Sequence, residues 1–441
     1  MLPRRYALLP LVIAGCYMTL GQALVIGGLH FYVMRVLILV GLARIIVRRE
    51  WSTTNPTPID GVFVAWLLLT SFLYLLFDGT NVRLTQRLGY AYDVAGIYAL
   101  VRSSVRTIDD VIFVIKLCAI AIIPLGVLFA VESITGRNPF AAFGGVNLFS
   151  ELRDGRVRST GPFQHPILAG TLGATVLPLF IGLWRCGKAN WLLAGCAIVA
   201  AATIIIASAS SGPFSALVVS TAALLCWPLR SYMRVIRWAL VVVLLVLAVP
   251  MKEPVWFLIA RVSDLTGGGG WYRSALIDAA VRHFDEWWLI GTGYTRHWMP
   301  SGISADPNSA DIVNEFINQG IRGGLLTVLV FVWLIVKCFK AVGMSVHNTA
   351  AYSTEVRFLI WSLGCALLAH VASFFSVSYF DQIRIFWVML LGMIAALEYQ
   401  AKKASVHCSP PAIENSPSRS ALVSARAYSG IKRPQMKAAR K

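Results

Sequence analysis

The segment RSTGPFQHPILAGT at 158–171 sets an arginine, a Gly-Pro turn and a His-Pro step directly ahead of a long apolar run. A guanidinium in such a place is equipped to hold an anion, because it presents paired donors that match phosphate or carboxylate oxygens. Arg273 in WYRSALIDAA follows the glycine run at 267–270 and opens a helix, where free backbone N–H groups and the positive dipole end also favour an anion. A third stretch, ADPNSADIVNEFINQGIRGGLL at 305–326, carries carboxylates and amides into another apolar run. Helical spacing puts Asp311, Asn314, Glu315 and Asn318 on one face, with Ile312, Val313, Phe316 and Ile317 on the other and Ser309 as N-cap. A polar ladder at the lip of an apolar bundle is costly unless it faces water, a partner or a substrate. A carboxylate partly desolvated there acquires a raised pKa suited to proton transfer.

The elements that must position these groups are membrane helices. The chain has 441 residues, of which 57% are hydrophobic and only 14% charged, with a mean hydropathy of +0.69. This composition describes an all-α polytopic membrane protein rather than a soluble domain. About twelve apolar segments are long enough to approach a bilayer crossing. They fall at 6–21, 30–47, 60–77, 88–101, 111–131, 166–184, 190–208, 212–229, 238–251, 318–336, 357–376 and 383–399.

Loop arginines and lysines fix an orientation with both termini cytoplasmic, in the cell inner membrane. Residues 1–400 then form the helical bundle, and 132–165 and 252–311 are its two long outer loops. The second contains a helical stretch, with Ile277, Val281, Phe284 and Trp288 on one stripe and Asp278, Arg282 and Asp285 on another. The ionisable groups Arg35, Asp93 and Arg384 gather near the outer ends of spans, and Arg83, Arg87 and Asp381 lie just beyond. A transporter would place such groups near the midplane.

The net charge of +18 does not indicate nucleic acid, because the tail at 401–441 holds nine Lys/Arg against Glu414 alone. That tail reads as a disordered basic cytoplasmic extension facing the lipid bilayer. IAGC at 13–16 resembles a lipoprotein cleavage box, but LAGC recurs at 193–196 in mid-chain, so the first segment reads as a retained anchor. The eight cysteines show no CxxC or zinc-site spacing.

Together, RSTGPFQHPILAGT, WYRSALIDAA, GTGY at 291–294 and ADIVNEFINQGIRGG resemble the bacterial O-antigen ligase and polymerase superfamily. The resemblance is clear over 150–335 and elsewhere rests on hydropathy. It implies a metal-independent membrane glycosyltransferase, without a cofactor, that takes a glycan from an undecaprenyl diphosphate-type carrier in the outer leaflet. The glycan is joined to a glycan or lipid-linked acceptor. The resemblance assigns Arg158 and Arg273 to the diphosphate, with Arg261 a weaker third; His165, beside the Gly-Pro turn, is a further candidate substrate contact from its position alone. Ligases of the superfamily carry a His-Asn pair where this chain has Ser309, ahead of the Gly-x-x-Gly at 320–323. The D-I-x-N pattern of Asp311 and Asn314 resembles instead the exopolysaccharide branch, which favours a polymerase. Asp311 is then the first candidate for the base that activates the acceptor hydroxyl, helped by Asn314, with Glu315 second and His165, His283 and His297 as further candidates.

Plainer roles stand beside each of these. Arg158 also suits a side chain that snorkels to lipid phosphates, and His165-Pro166 a simple helix start. Arg273 suits a surface ion pair, and Asp311 and Asn314 a capping network. Asp278–Arg282 fits an i, i+4 pair. Trp184, Trp287, Trp288, Tyr379 and Trp387 suit interfacial anchors, whereas Trp271 and Tyr272 beside Arg273 are candidates to pack on a sugar ring. The alternatives to a polymerase are a ligase acting on a lipid acceptor and a non-enzymatic transporter or flippase.

Overall fold

The computed structural model describes residues 3–26, 29–50, 55–75, 81–264, 269–302, 306–348 and 352–407. The basic tail beyond 407 and the first two glycines of the run at 267–270 lie outside the described residues. The chain divides into two units, Met1–Ala401 and Lys402–Lys441.

In chain order the helices are α1 (Leu9–Tyr17), α2 (Val33–Val47), α3 (Pro58–Leu75), α4 (Asn81–Ser104), α5 (Ile108–Thr135), α6 (Pro166–Arg185), α7 (Trp191–Ala207) and α8 (Ser211–Leu225). Then come α9 (Met233–Ala248), α10 (Leu258–Asp264), α11 (Gly270–Arg282), α12 (Phe284–Trp287), α13 (Glu315–His347), α14 (Thr354–Phe374) and α15 (Ile383–His407). Among the described residues, seven helical segments are long and apolar enough to cross a membrane: those of α5, α6, α7, α9, α13, α14 and α15. The other expected spans fall on helices that are shorter or more polar. α1 has nine residues and α2 and α8 fifteen each. α4 is longer than expected, at 24 residues, and carries Arg87, Asp93 and Arg102 within it.

Four short strands also depart from a purely helical reading. β1 (Ala23–Ile26) pairs antiparallel with β2 (Leu29–Tyr32), Ile26 opposite Leu29. The pair lies between the expected first two spans and takes only the first three residues of the second, and the signal was two β-branched or aromatic runs around a Gly-Gly pair. β3 (Glu151–Arg153) and β4 (Arg156–Arg158) form a second hairpin, Glu151 opposite Arg158.

α6 lies at the centre and packs against α7, α8 and α14, and nearly its whole length is buried. Small residues allow the close approach: a Cβ on Gly173 would sit 2.7 Å from the Ala201 carbonyl, and one on Gly170 would meet Ser208 and Pro213. α5 begins with a reciprocal Thr107–Asp110 capping box and ends at Gly136, whose φ of 67° suits a left-handed helix stop. α3 packs on α13 through a buried polar knot. The Gln319 Oε1 accepts from Trp66 Nε1 (3.0 Å) and Thr70 Oγ1 (2.8 Å), while its Nε2 donates to Glu315 Oε1 (2.6 Å). Tyr379 and Trp387 are not interfacial anchors: both are about 95% buried, in an aromatic cluster with His370 and Phe374.

The chain between α9 and α13 forms a small second core of Leu276, Ala279, Ala280, Trp298, Met299 and Ala310. The buried face of α11 is therefore Leu276, Ala279 and Ala280, not the expected stripe, and Val281, Phe284 and Trp288 are exposed. The helix stops at Arg282, so a stripe continued to Trp288 has no single face to occupy.

The motifs GTGY and GIRGG meet. Thr292 N donates to the Ile321 carbonyl (2.9 Å) and Leu325 N to the Trp288 carbonyl (2.7 Å). Gly291 has a φ of 100°, and a Cβ there would fall 2.1 Å from the Ile321 oxygen. Gly324, at the kink of α13, has a φ of 70°, and a Cβ would sit 2.4 Å from the Leu289 oxygen. Both positions thus need glycine for conformation and for space. Gly324→Ala should destabilise the protein by about 2 kcal/mol or more, seen as a lower melting temperature in detergent. An unchanged melting temperature would show that the kink is not a structural joint.

Candidate functional site

Arg158 and Arg273 come from distant parts of the chain and reach adjacent residues. Arg158 Nη2 donates to Ser210 Oγ (3.1 Å), and Arg273 Nη1 donates to Ser211 Oγ (3.3 Å). Ser210 is the N-cap of α8, yet its hydroxyl does not cap the helix and instead donates to the Ser208 carbonyl (2.8 Å). The first-turn N–H groups of Ser211 and Gly212 have no helical carbonyl to reach, and the next residue, Pro213, has no N–H. Two guanidinium groups and the positive end of a 15-residue helix therefore share one locus.

Arg158 is 4% exposed and pairs with Glu151 Oε2 at 3.0 Å across the β3–β4 hairpin. Its Nε is buried with no hydrogen-bond partner among the described residues. Arg273 is partly buried and has no carboxylate partner among the described residues. Burial, and then the charge of Arg153, press its pKa below the usual arginine value. Both the snorkelling role for Arg158 and the surface ion pair for Arg273 are set aside by this geometry. The Arg282–Asp278 pair at 2.6 Å is the i, i+4 contact expected of it.

A residue that sequence reasoning passed over holds the Arg158 segment in place. Glu132, fully buried near the end of α5, accepts from Ser150 Oγ (2.8 Å), Thr160 N (2.8 Å) and Gly161 N (2.9 Å). Asn138 Nδ2 adds bonds to Thr160 Oγ1 and the Gly161 carbonyl, and Ser159 N donates to the Ala207 carbonyl (2.9 Å) at the end of α7. A helix carboxylate without a cation beside it and followed by a Gly-rich turn was the available signal. His165 is a helix cap: its Nδ1 accepts from Ile167 N (3.2 Å). Burial, followed by the nearby Arg158 charge, lowers its pKa and keeps the ring neutral. Arg261 lies exposed on α10, and no hydrogen bond among the described residues joins it to the Arg158–Arg273 pair.

The 311–318 ladder does not form as expected. α13 begins at Glu315 with Asn314 as N-cap, its Oδ1 accepting from Phe316 N (2.9 Å) and Ile317 N (3.2 Å). Ser309 is not the cap and donates to Asp306 Oδ2 (3.2 Å). Asp311 thus precedes the helix and shares no helical face with Asn314, Glu315 and Asn318. Both residue types suit an N-cap, but the Ser309 hydroxyl is engaged by Asp306 while Asn314 Oδ1 reaches the first-turn N–H groups. Glu315 is buried, receiving bonds from Asn318 Nδ2 (3.1 Å), Gln319 Nε2 (2.6 Å) and Tyr379 N (2.7 Å). Asp311 is the carboxylate of the set that stays exposed, and desolvation by its neighbours raises its pKa. Tyr272, next to Arg273, donates its hydroxyl to the Asp311 carbonyl (3.0 Å), which holds Asp311 beside the start of α11.

The loop between α14 and α15 touches each part of this region. Ser376 abuts Gly212 at the start of α8, Tyr379 N binds Glu315, and Gln382 Nε2 donates to the carbonyls of Pro162 and Met18. Asp381, with a left-handed φ of 59°, accepts from Gln164 N (2.9 Å). Burial pushes its pKa up to about 6, against the backbone N–H groups of Gln164 and Gln382 and the charge of Arg384. Further along the rim, Arg35 pairs with Asp93 at 3.1 Å, and the guanidinium groups of Arg384 and Arg322 lie over the Tyr90 ring.

Because the folded pKa of Asp381 lies above that of an unfolded aspartate, protonation favours the fold. Its stabilising effect is complete below about pH 4 and is lost as pH rises through about 6. Asp381→Asn keeps an acceptor for Gln164 and tolerates the left-handed backbone, so it should melt higher relative to the parent at pH 7 than at pH 4. A difference independent of pH would contradict the assignment.

No family model matches the chain, and no curated protein is significantly similar to it.

Proposed function

We propose that the protein is a membrane glycosyltransferase that takes a glycan from an isoprenoid diphosphate and joins it to a second, carrier-linked glycan, as a polymerase does. The observation that carries this reading is the meeting of Arg158 and Arg273 at the start of α8, where positive charge exceeds its protein partners. A diphosphate supplies what such a site lacks: several oxygens on one compact, strongly anionic group.

In the transfer, the acceptor hydroxyl oxygen forms a bond to the anomeric carbon as the bond from that carbon to the diphosphate oxygen breaks. Negative charge then builds on the leaving isoprenoid diphosphate, where the two guanidinium groups and the N–H groups of Ser211 and Gly212 stabilise it. The hydroxyl proton goes to Asp311, whose pKa is raised by desolvation and whose backbone carbonyl is held by the Tyr272 hydroxyl. Asn314 and Glu315 act as positioning groups, since their acceptor atoms are already used by backbone and amide donors. The donor would reach the site from the outer leaflet of the inner membrane.

Reconstituted with a lipid-linked oligosaccharide, the protein should yield longer glycans and free carrier. Movement of the lipid across the bilayer with no new glycosidic bond would identify a flippase instead. Arg273→Lys keeps the charge but loses the fork, and should lower activity about tenfold or more while membrane abundance is unchanged. Full activity in that variant would remove the diphosphate role. Activity should also fall as pH drops through the Asp311 pKa, and Asp311→Asn should abolish that acid limb together with most of the rate.

A further inference from the structure

We propose that His283, Glu286 and His297 form a binding site for a divalent cation of the zinc class. His283 Nδ1 lies 2.8 Å and His297 Nε2 2.9 Å from the same oxygen, Glu286 Oε1, and the three potential ligand atoms all lie within 4.8 Å of one another. A zinc ion with bonds of about 2.0–2.2 Å to nitrogen and oxygen fits among donors so placed after small side-chain shifts. Two imidazoles and one carboxylate select a borderline cation over calcium or magnesium, which prefer oxygen throughout. Three protein ligands leave one position for water, and the partial exposure of all three residues gives the ion an entry path.

The surroundings hold the ligands in this arrangement. Trp298 Nε1 donates to the other Glu286 oxygen, Oε2, at 3.0 Å, which turns Oε1 toward the two histidines. The Trp298 ring stacks on His283 (interplanar 7°), and Tyr294 stacks on His297 (14°). Desolvation opposes ionisation of Glu286, but the bonds from Trp298, His297 and His283 outweigh it and keep its pKa below the usual glutamate range.

The ligands come from three consecutive elements: His283 caps the end of α11, Glu286 belongs to α12, and His297 lies in the 3-10 turn Arg296–Trp298. Beyond that turn, Thr295 N and Arg296 N donate to the Asn308 carbonyl, and Thr295 Oγ1 accepts from Ala310 N. A cation here would pin the loop that leads to Asp311 onto the helix that carries Arg273. The role is structural, the ion takes no part in glycosyl transfer, and the site does not depend on that reading.

The test uses the full chain, purified in detergent with a histidine-free affinity tag, stripped with chelator and titrated with zinc chloride. One equivalent should bind saturably and raise the melting temperature, and cobalt chloride should give the visible absorption of a four- or five-coordinate site. His297→Ala and, separately, Glu286→Gln should each weaken zinc binding about tenfold or more. Both variants should keep a monodisperse elution profile and the metal-free melting temperature of the parent. Absence of one-equivalent binding by the parent would overturn the proposal. So would equal binding by a folded Glu286→Gln protein, which retains the fold contacts of both histidines.

Discussion

The arrangement depends on bringing two guanidinium groups from distant parts of the chain to adjacent serines at the first turn of a helix. The dipole of α8 disfavours positive charge there. Among the described residues, Glu151 is the acid that pairs with either group, and two serine hydroxyls complete the contacts. The groups are held by scaffold rather than by mutual attraction. Glu132 and the Ser159–Ala207 backbone bond fix the Arg158 side, and the second core beneath α11 fixes the Arg273 side. A site preorganised in this way has already met the cost of gathering charge before any ligand arrives.

The same logic explains the density of backbone-specific residues around the rim. Gly161, Gly291 and Gly324 all have positive φ, and a Cβ on each would strike a neighbour within 2.4 Å. At these points, chain segments approach too closely for any side chain. The loop at 375–382 completes the frame by joining the start of α8, the start of α13 and the 162–164 turn through Ser376, Tyr379, Asp381 and Gln382. Sequence-distant motifs are thus one structure, although they share no secondary-structure element.

Hydropathy made the helical bundle legible, because long apolar runs have few alternatives in a membrane. It read the edges poorly. The spans expected at 6–21 and 30–47 shorten to α1 and α2, with the paired strands β1 and β2 between them. The meeting of Arg158 and Arg273 was anticipated from motif content, whereas their common platform on Ser210 and Ser211 was not, because α8 looks like an ordinary apolar helix from within its own sequence. Glu132 escaped notice because two of its three donors are backbone N–H groups, and only the absence of a neighbouring cation marked it in the sequence. Extending the α13 helix back to Asp311 failed on capping, since both Ser309 and Asn314 suit an N-cap and only tertiary contacts choose between them.

The most direct test of the central claim is a double-mutant cycle on binding of a short isoprenoid diphosphate to the detergent-purified protein, using Arg158→Gln, Arg273→Gln and the double variant. If both guanidinium groups hold one headgroup, the losses in binding free energy will be non-additive, with a coupling of about 0.5–3 kcal/mol. Strict additivity, or undiminished binding by the double variant, would show that the two arginines do not serve a common ligand.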